Sequence, residues 1–347
     1  MARRHLAPAL ALLLGACAPA PDAPVFHADA NPATLSEWNV LAVTRGYLVP
    51  GPGSVHYSVN APLFTDYAHK LRTVHTPEPA GIREDGSLDF PVGTVISKTF
   101  YYPEDAGGVR KTPDGSPDAV DLAAHRLIET RLMVRREAGW EPVSYVWDED
   151  ETEARLKRTG AVVRLASRDL GDFAYLVPNE NQCAGCHATD AGSKALHPLG
   201  ASAGQFADRS AMVVSGVMRP GTFAEVADWR DESLPLDSRA RAYLDGNCAH
   251  CHNPVGPADT SGLDLTLGAT SALALGRCKP PIAAGSGTGG RLFSIVPGKA
   301  DASIMPHRMA STDPGAMMPE LGRTLAHAEG VALISDWIDA MEGGCAG

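Results

Sequence analysis

The pattern Cys-x-x-Cys-His occurs twice in this chain, as Cys183-Ala184-Gly185-Cys186-His187 and as Cys248-Ala249-His250-Cys251-His252. The spacing is the covalent attachment signature of c-type haem. Each pair of thiols adds across the two vinyl groups of one haem, and the adjacent histidine then reaches the iron from the proximal side. Haem takes over part of the usual side-chain core, so these ten residues constrain the fold more than any other feature. A single copy also fits a zinc knuckle or a redox dithiol; two full copies in an exported protein favour haem. Cys183, Cys186, Cys248 and Cys251 are therefore the expected attachment residues, His187 and His252 the expected proximal ligands, and two covalently bound haem c groups the expected cofactors.

The start of the chain points to export. Met1-Ala2-Arg3-Arg4-His5 is a short basic segment, followed by an apolar run from Leu6 to Leu14 broken by Pro8. That run is far short of the ~20 residues a spanning helix needs and fits the roughly 7–15-residue core of a secretory signal. Leu14-Gly15-Ala16-Cys17 resembles a bacterial lipobox, which makes Cys17 the expected lipidation site; ordinary cleavage nearby is the alternative. The Pro/Ala-rich stretch after Cys17 is expected to be an extended tether. The expected location is the periplasm or cell envelope of a bacterium, with a lipid anchor to the membrane.

Seven cysteines are present. With four in the haem motifs and Cys17 lipidated, Cys278 and Cys345 remain. A bridge between them leaves no free thiol in an oxidising compartment; two buried free thiols are the alternative. The 30 basic and 41 acidic residues give a net charge of −11, which argues against nucleic acid as a partner. It suits either docking to a basic redox partner or simple solubility. The 35 glycines and 27 prolines indicate a loop-rich chain.

Between about Leu35 and Val177 the chain reads as β. Thr94–Tyr101 is β-branched and aromatic, and Arg126–Arg135 alternates, with Ile128, Thr130, Leu132 and Val134 on one face. Val143–Trp147 is the return strand after a turn at Ala138-Gly139, and Val162–Ala166 is another candidate. Further on, Ser238–Gly246 is expected to be a helix running into the second motif, and Glu329–Ile338 a terminal helix with Val331, Ile334 and Ile338 on one side. Ala211–Met218 reads as a buried helix. The Gly-x-Gly-x-x-Gly string from Gly285 to Gly290 is preceded by Pro280-Pro281 and followed by a strand-like Arg291–Pro297, so it is read as a loop and not a nucleotide site.

For the second haem, the pattern of class I cytochromes c, which this stretch resembles, implies a sixth-ligand methionine before a proline well downstream of the motif. Met317-Met318-Pro319-Glu320-Leu321-Gly322 supplies it, with Met318 directly before the proline; Met317 is the near alternative, and Met305 and Met309 stand behind it. A sulfur ligand there raises the potential and closes the iron to other ligands. Arg308 and Arg291 are candidates to pair with propionates. The first haem has no such methionine. His197, a residue from the β region, or an open site are its alternatives, and none is assigned.

A helix before the motif, a Met-Pro loop and an aromatic terminal helix resemble class I cytochromes c over Ser238 to Glu342. More widely, the chain resembles a group of bacterial diheme c-type cytochromes of largely unassigned role, whose members often stand next to parallel-β-helix proteins. The carriers are Asn60-Ala61-Pro62-Leu63-Phe64-Thr65-Asp66-Tyr67, Phe90-Pro91-Val92-Gly93-Thr94, Ile128-Glu129-Thr130-Arg131-Leu132, Asn247 to Pro254, and Met317 to Arg323. The resemblance implies a β domain, two haem modules and export, and no established substrate.

The expected fold class is multi-domain: an N-terminal antiparallel β domain of sandwich or barrel type, followed by mainly α cytochrome c-type haem modules. The expected boundaries are 1–16 signal peptide, 17–34 tether, 35–177 β-rich domain, 178–235 first haem module and 236–347 second, class I-like module. The expected function is electron transfer between periplasmic or membrane redox proteins, a carrier more than an enzyme, with no catalytic residue assigned. A diheme peroxidase or oxidase with an open site at the first haem is the alternative. A third reading makes Trp140, Tyr145 and Trp147 a stacking face for carbohydrate or a partner.

Overall fold

The run Val95-Ile96-Ser97-Lys98-Thr99-Phe100-Tyr101 has the β-branched and aromatic side chains that pack well on a pleated surface, and it forms the Val95–Asp105 strand. In the computed structural model, which describes residues 23–282 and 284–346, this strand lies inside a seven-stranded sheet. The order is Ala154–Leu156, Gly139–Trp147, His125–Arg136, Val95–Asp105, His69–His75 and Val55–His56, with Gly108–Val109 paired to the end of Val95–Asp105. Every pairing is antiparallel. The signal segment 1–16 and Cys17 lie outside the described residues.

Alternation sends successive side chains to opposite faces. One face carries Leu132, Val134, Val143 and Tyr145 and is closed by Leu35, Trp38 and Val40. There Trp38 Nε1 donates to the Tyr145 hydroxyl at 2.8 Å, and Trp147 Nε1 donates to Thr130 Oγ1. Tyr145 is fully buried, and Trp147 and Trp140 are half-buried against two different clusters, so the three do not form one exposed stacking face. Buried hydroxyls on this face pair across strands, Thr73 with Ser97 and Thr99 with Thr130. The other face is apolar at both ends. Val74, Ile96 and Met133 meet Tyr57, Phe206, Met212 and Met218, and Phe100 meets Ile128 and Tyr175. Between these two clusters the face is charged.

Beyond Val177 the expectation of mainly α cytochrome c-type modules is overturned. The structure holds about 18% helix against 25% strand, so antiparallel sheet is the dominant regular structure. Among the described residues there are five α-helices: α1 Glu180–His187, α2 Arg209–Val214, α3 Leu236–Asn247, α4 Ile304–Ala310 and α5 Ala328–Asp339. None exceeds 12 residues. The physical reason is local. Helix nucleation is costly and needs an uninterrupted run, whereas this half of the chain is divided by Gly, Pro and Asp. The carboxylates of Asp190, Asp228, Asp231, Asp264 and Asp313 each accept from the backbone N–H two residues on, which fixes turns instead of helices. Arg291–Pro297 is likewise not a strand and makes only isolated bridges. The glycine string is a short 3₁₀ turn, Gly285–Thr288.

Helices α3 and α5 pack on each other through Tyr243, Leu244, Leu333, Ile334 and Trp337, and Trp337 Nε1 donates to Asp237 at 2.8 Å. Cys278 and Cys345 are disulfide-bonded with Cα atoms 5.2 Å apart. The segment Asn60–Tyr67 joins the sheet to this half. Phe64 N–H donates to Asn247 Oδ1 at 2.8 Å. The buried Asp66 carboxylate accepts from the N–H groups of Thr324 and Leu325 and from Thr324 Oγ1. No helix among the described residues is long and apolar enough to cross a membrane.

Candidate functional site

A cavity of about 410 Å³ lies between the charged face of the sheet, α1, the end of α3 and the 317–323 loop. Its size falls within the ~300–1,000 Å³ of ordinary ligand sites. The first Cys-x-x-Cys-His forms the C-terminal end of α1, which starts on a reciprocal capping box between Asn179 and Gln182. Cys183, Cys186 and His187 all line the cavity. The second motif follows the end of α3 and forms a tight turn, His252 N–H donating to the Cys248 carbonyl at 2.9 Å. Ala249, His250 and Asn253 line the same cavity.

The two motifs touch. Cys251 Sγ donates to the Gly185 carbonyl at 3.4 Å, and Asn253 Nδ2 donates to the Thr189 carbonyl at 3.2 Å. Cys248 instead lines a second, smaller cavity of about 20 Å³ with Tyr243, Met309, Met318 and His327. The structure thus separates the adjacent methionines: Met318 shares a cavity with Cys248, and Met317 faces the larger cavity with Cys183, Cys186 and His187. His252 is on the wall of neither.

Both motif imidazoles are held at Nδ1. His187 Nδ1 lies 2.7 Å from the His197 carbonyl oxygen. A carbonyl only accepts, so Nδ1 carries the proton and Nε2 keeps its lone pair. His252 Nδ1 lies 3.0 Å from Ser261 Oγ, whose own proton goes to the Ala258 carbonyl, which fixes the same tautomer. Burial pushes His187 down to about 3 and His252 down to about 4, so both rings are neutral at pH 7. This arrangement also reassigns His197. Its backbone stands behind His187, and its ring does not line the cavity, whereas Pro198 and Leu199 do.

The four motif thiols are free. Burial raises all four, Cys248 and Cys251 to about 12. A reactive dithiol has its thiolate stabilised instead. Among the described residues no three His, Cys, Asp or Glu side chains converge as a metal-binding group, so the Cys-x-x-Cys pairs are not assembled as a zinc knuckle, which requires four such ligands.

The largest surprise is the sheet wall. Arg72 faces Lys98 directly across one pair of strands, Lys98 faces Arg131 across the next, and Arg131 faces Ser144 across the third. Lys70 lies one rung away on the same face. All five residues line the cavity. Arg131 is matched by a two-donor pair to the buried Glu129, at 2.6 and 2.9 Å. The candidate propionate partners Arg308 and Arg291 are elsewhere. Arg308 Nε donates to the Ala316 carbonyl and Arg291 Nε to the Asp301 carbonyl, and neither lines the cavity. Arg323 does line it and fixes the methionine loop, donating to the carbonyls of Arg308, Ser311, Met318 and Leu325. The sequence carried only part of the signal: Lys70 and Arg72 alternate in step with Val74, and Lys98 with Ile96 and Phe100, but the register that brings the two strands' cations together does not show in it.

Comparison with protein-family models, with characterised proteins and with solved structures found no match.

Proposed function

We propose that this protein is an exported diheme c-type cytochrome that passes electrons between redox partners of the bacterial cell envelope. The observation that carries the reading is the contact between two Cys-x-x-Cys-His motifs whose histidines both present a neutral Nε2. At the first motif, where Cys183, Cys186 and His187 line the larger cavity, the residues fit the group. Each motif offers two unpaired thiols at the attachment spacing, and an imidazole whose other nitrogen has an oxygen partner, as haem- and metal-ligating histidines require. The cavity between them has apolar walls from Leu63, Ile96, Phe100 and Met133.

Bound haem would supply one-electron chemistry, with potentials set by axial ligand, hydrogen bonding and burial. The protein's part is positional. Cys183 and Cys186 would fix one porphyrin and Cys248 and Cys251 the other, His187 and His252 would hold the proximal sides, and Met318 would supply sulfur to the second. The Cys251–Gly185 contact keeps the two attachment points together, which shortens the path between them. A lipid on Cys17 would keep the unit at a membrane beside its partners.

A peroxidase or oxidase is the second reading, favoured by one observation: His250 and Arg131, a proton carrier and a fixed cation, line the cavity beside His187. Spectra of the purified reduced protein with and without carbon monoxide, with EPR of the oxidised protein, separate the two. Electron transfer requires two covalent, low-spin, CO-inert haems. A high-spin, CO-binding haem lost on replacing His187 favours the peroxidase, and a protein without covalent haem overturns both.

A further inference from the structure

We infer that Lys70, Arg72 and Lys98, with the Tyr57 hydroxyl, form a binding site for paired carboxylates on the inner face of the sheet. The site deepens the haem reading if the carboxylates are propionates, and it stands without that reading if they belong to a free dicarboxylate.

Like charges directly opposite one another in a sheet are destabilising, and here Arg72, Lys98 and Arg131 occupy consecutive facing positions. Among the described residues, only Arg131 of the three has a carboxylate partner. Arg72 Nη1 reaches the Lys70 carbonyl at 3.4 Å, Lys70 Nζ reaches the Ala68 carbonyl at 3.3 Å and lies 5.5 Å from the Phe100 ring centroid, and Lys98 Nζ reaches the Leu199 carbonyl at 3.0 Å. Asp114 is close enough to act on Arg72 and Lys70 through space but forms no ion pair with either among the described residues. Arg72 is 3% exposed and Lys70 6%. A buried charge without a partner is strongly disfavoured, so buried Arg72 and Lys70, with half-buried Lys98 opposite Arg72, call for a counter-anion. Burial, reinforced by the neighbouring Arg72, pulls both lysines down to about 7, the response expected of cations lacking one.

A second observation is independent of the charges. Tyr57 is 3% exposed, lines the cavity, and its hydroxyl has no hydrogen-bond partner. A buried phenol is normally satisfied, and an anion in the cavity would accept its proton. The shape of the ligand follows from the walls. Arg72 and Lys98 face each other across strands roughly 5 Å apart, and Lys70 stands two residues along the strand from Arg72, about 7 Å away, so the three cations make a patch too wide for one compact anion and suited to two carboxylates. Ile96, Phe100 and Met133 beside the row require an apolar body. An apolar dianion of this kind is the propionate edge of a porphyrin, and a free dicarboxylate shares its polar half.

The test uses the purified full-length protein, with Lys98→Met and Lys70→Met as separate variants in case one does not fold, and two measurements. Redox titration reads the midpoint potentials, and calorimetric titration with succinate reads free-dicarboxylate binding. Propionate binding requires that one haem potential falls in a folded variant while the other is unmoved, with no heat from succinate. Free-dicarboxylate binding requires saturable succinate binding to the wild type, lost at least tenfold in the variant, with both potentials unmoved. Both effects together also support the site. Unmoved potentials with no succinate binding overturn it. A protein lacking covalent haem would remove the haem reading alone, because the succinate arm still decides the site.

Discussion

The Nδ1 atom of His187 donates to the backbone carbonyl of His197 across 2.7 Å, so it is the main chain of residue 197, and not its ring, that serves the first motif. On the proposed diheme reading, His197→Ala is therefore expected to leave the EPR and absorption spectra of both haems unchanged. The equivalent partner of His252 is a side chain, and Ser261→Ala removes it. A hydrogen bond worth about 1 kcal/mol, felt by one oxidation state only, is about 40 mV for a one-electron couple. Losing it makes the imidazole a weaker donor, so one potential is expected to rise by up to that amount. A spectrum altered by His197→Ala would return bis-histidine ligation to consideration.

Arg323 is buried and donates to four carbonyls around the Met318 loop. A lysine carries the charge but cannot reproduce the planar fork. Arg323→Lys leaves two or three carbonyls without donors, a loss of about 2–4 kcal/mol. The near-infrared sulfur-to-iron band of the second haem should weaken in this variant and vanish in Met318→Ala. Retention of the band in Met318→Ala would transfer the ligand role to another methionine.

Gly246 lies in α3 two residues before Cys248, and a Cβ there would overlap the Ala61 carbonyl oxygen. Its backbone dihedrals are helical, so the requirement is purely one of space. Gly246→Ala is expected to cost about 1–3 kcal/mol, the usual penalty of overpacking, by pushing α3 away from the Asn60–Tyr67 segment. Urea unfolding followed by haem absorbance measures it. A variant as stable as the wild type would show that this contact relaxes freely.

These contacts mark the limit of what could be read from the chain alone. The two Cys-x-x-Cys-His motifs are legible because five residues at fixed spacing stand out in any reading of the chain. Helices α3 and α5 are legible from the 3.6 period of their apolar residues, and the Val95–Asp105 strand from its β-branched run. The rest of the second half is less legible, because its Asp-capped turns have no period to read. The cation row was hidden for another reason. Lys70 and Arg72 share the His69–His75 strand and Lys98 lies on Val95–Asp105, so only the register brings Arg72 and Lys98 face to face. In the linear sequence each is an unremarkable strand cation. Likewise, Asn60–Tyr67 gives no sign that its Asp66 will hold Thr324 and Leu325.

His327 connects this half of the molecule to solution pH. It is stacked on Phe64 with ring centroids 4.3 Å apart, and its Nδ1 lies 3.0 Å from the Tyr243 hydroxyl. Its side chain is only 13% exposed. Burial pulls it from the ordinary 6.5 down to about 4, against a weaker opposing effect of Glu329. Between those values the unfolded chain binds a proton at this residue that the folded chain refuses, so stability rises with pH across the window and is lost as pH falls from 6.5 to 4. The change amounts to about 3 kcal/mol over the full range. Other buried histidines contribute in the same direction, so the comparison must be differential. His327→Gln keeps a hydrogen-bonding side chain near Tyr243 but does not titrate. Denaturant unfolding at pH 7 and pH 4.5 should show a smaller acid loss in the variant than in the wild type. Equal losses would mean that His327 takes up its proton in the folded state as readily as in the unfolded chain, and that the Phe64–His327–Tyr243 packing tolerates the charge.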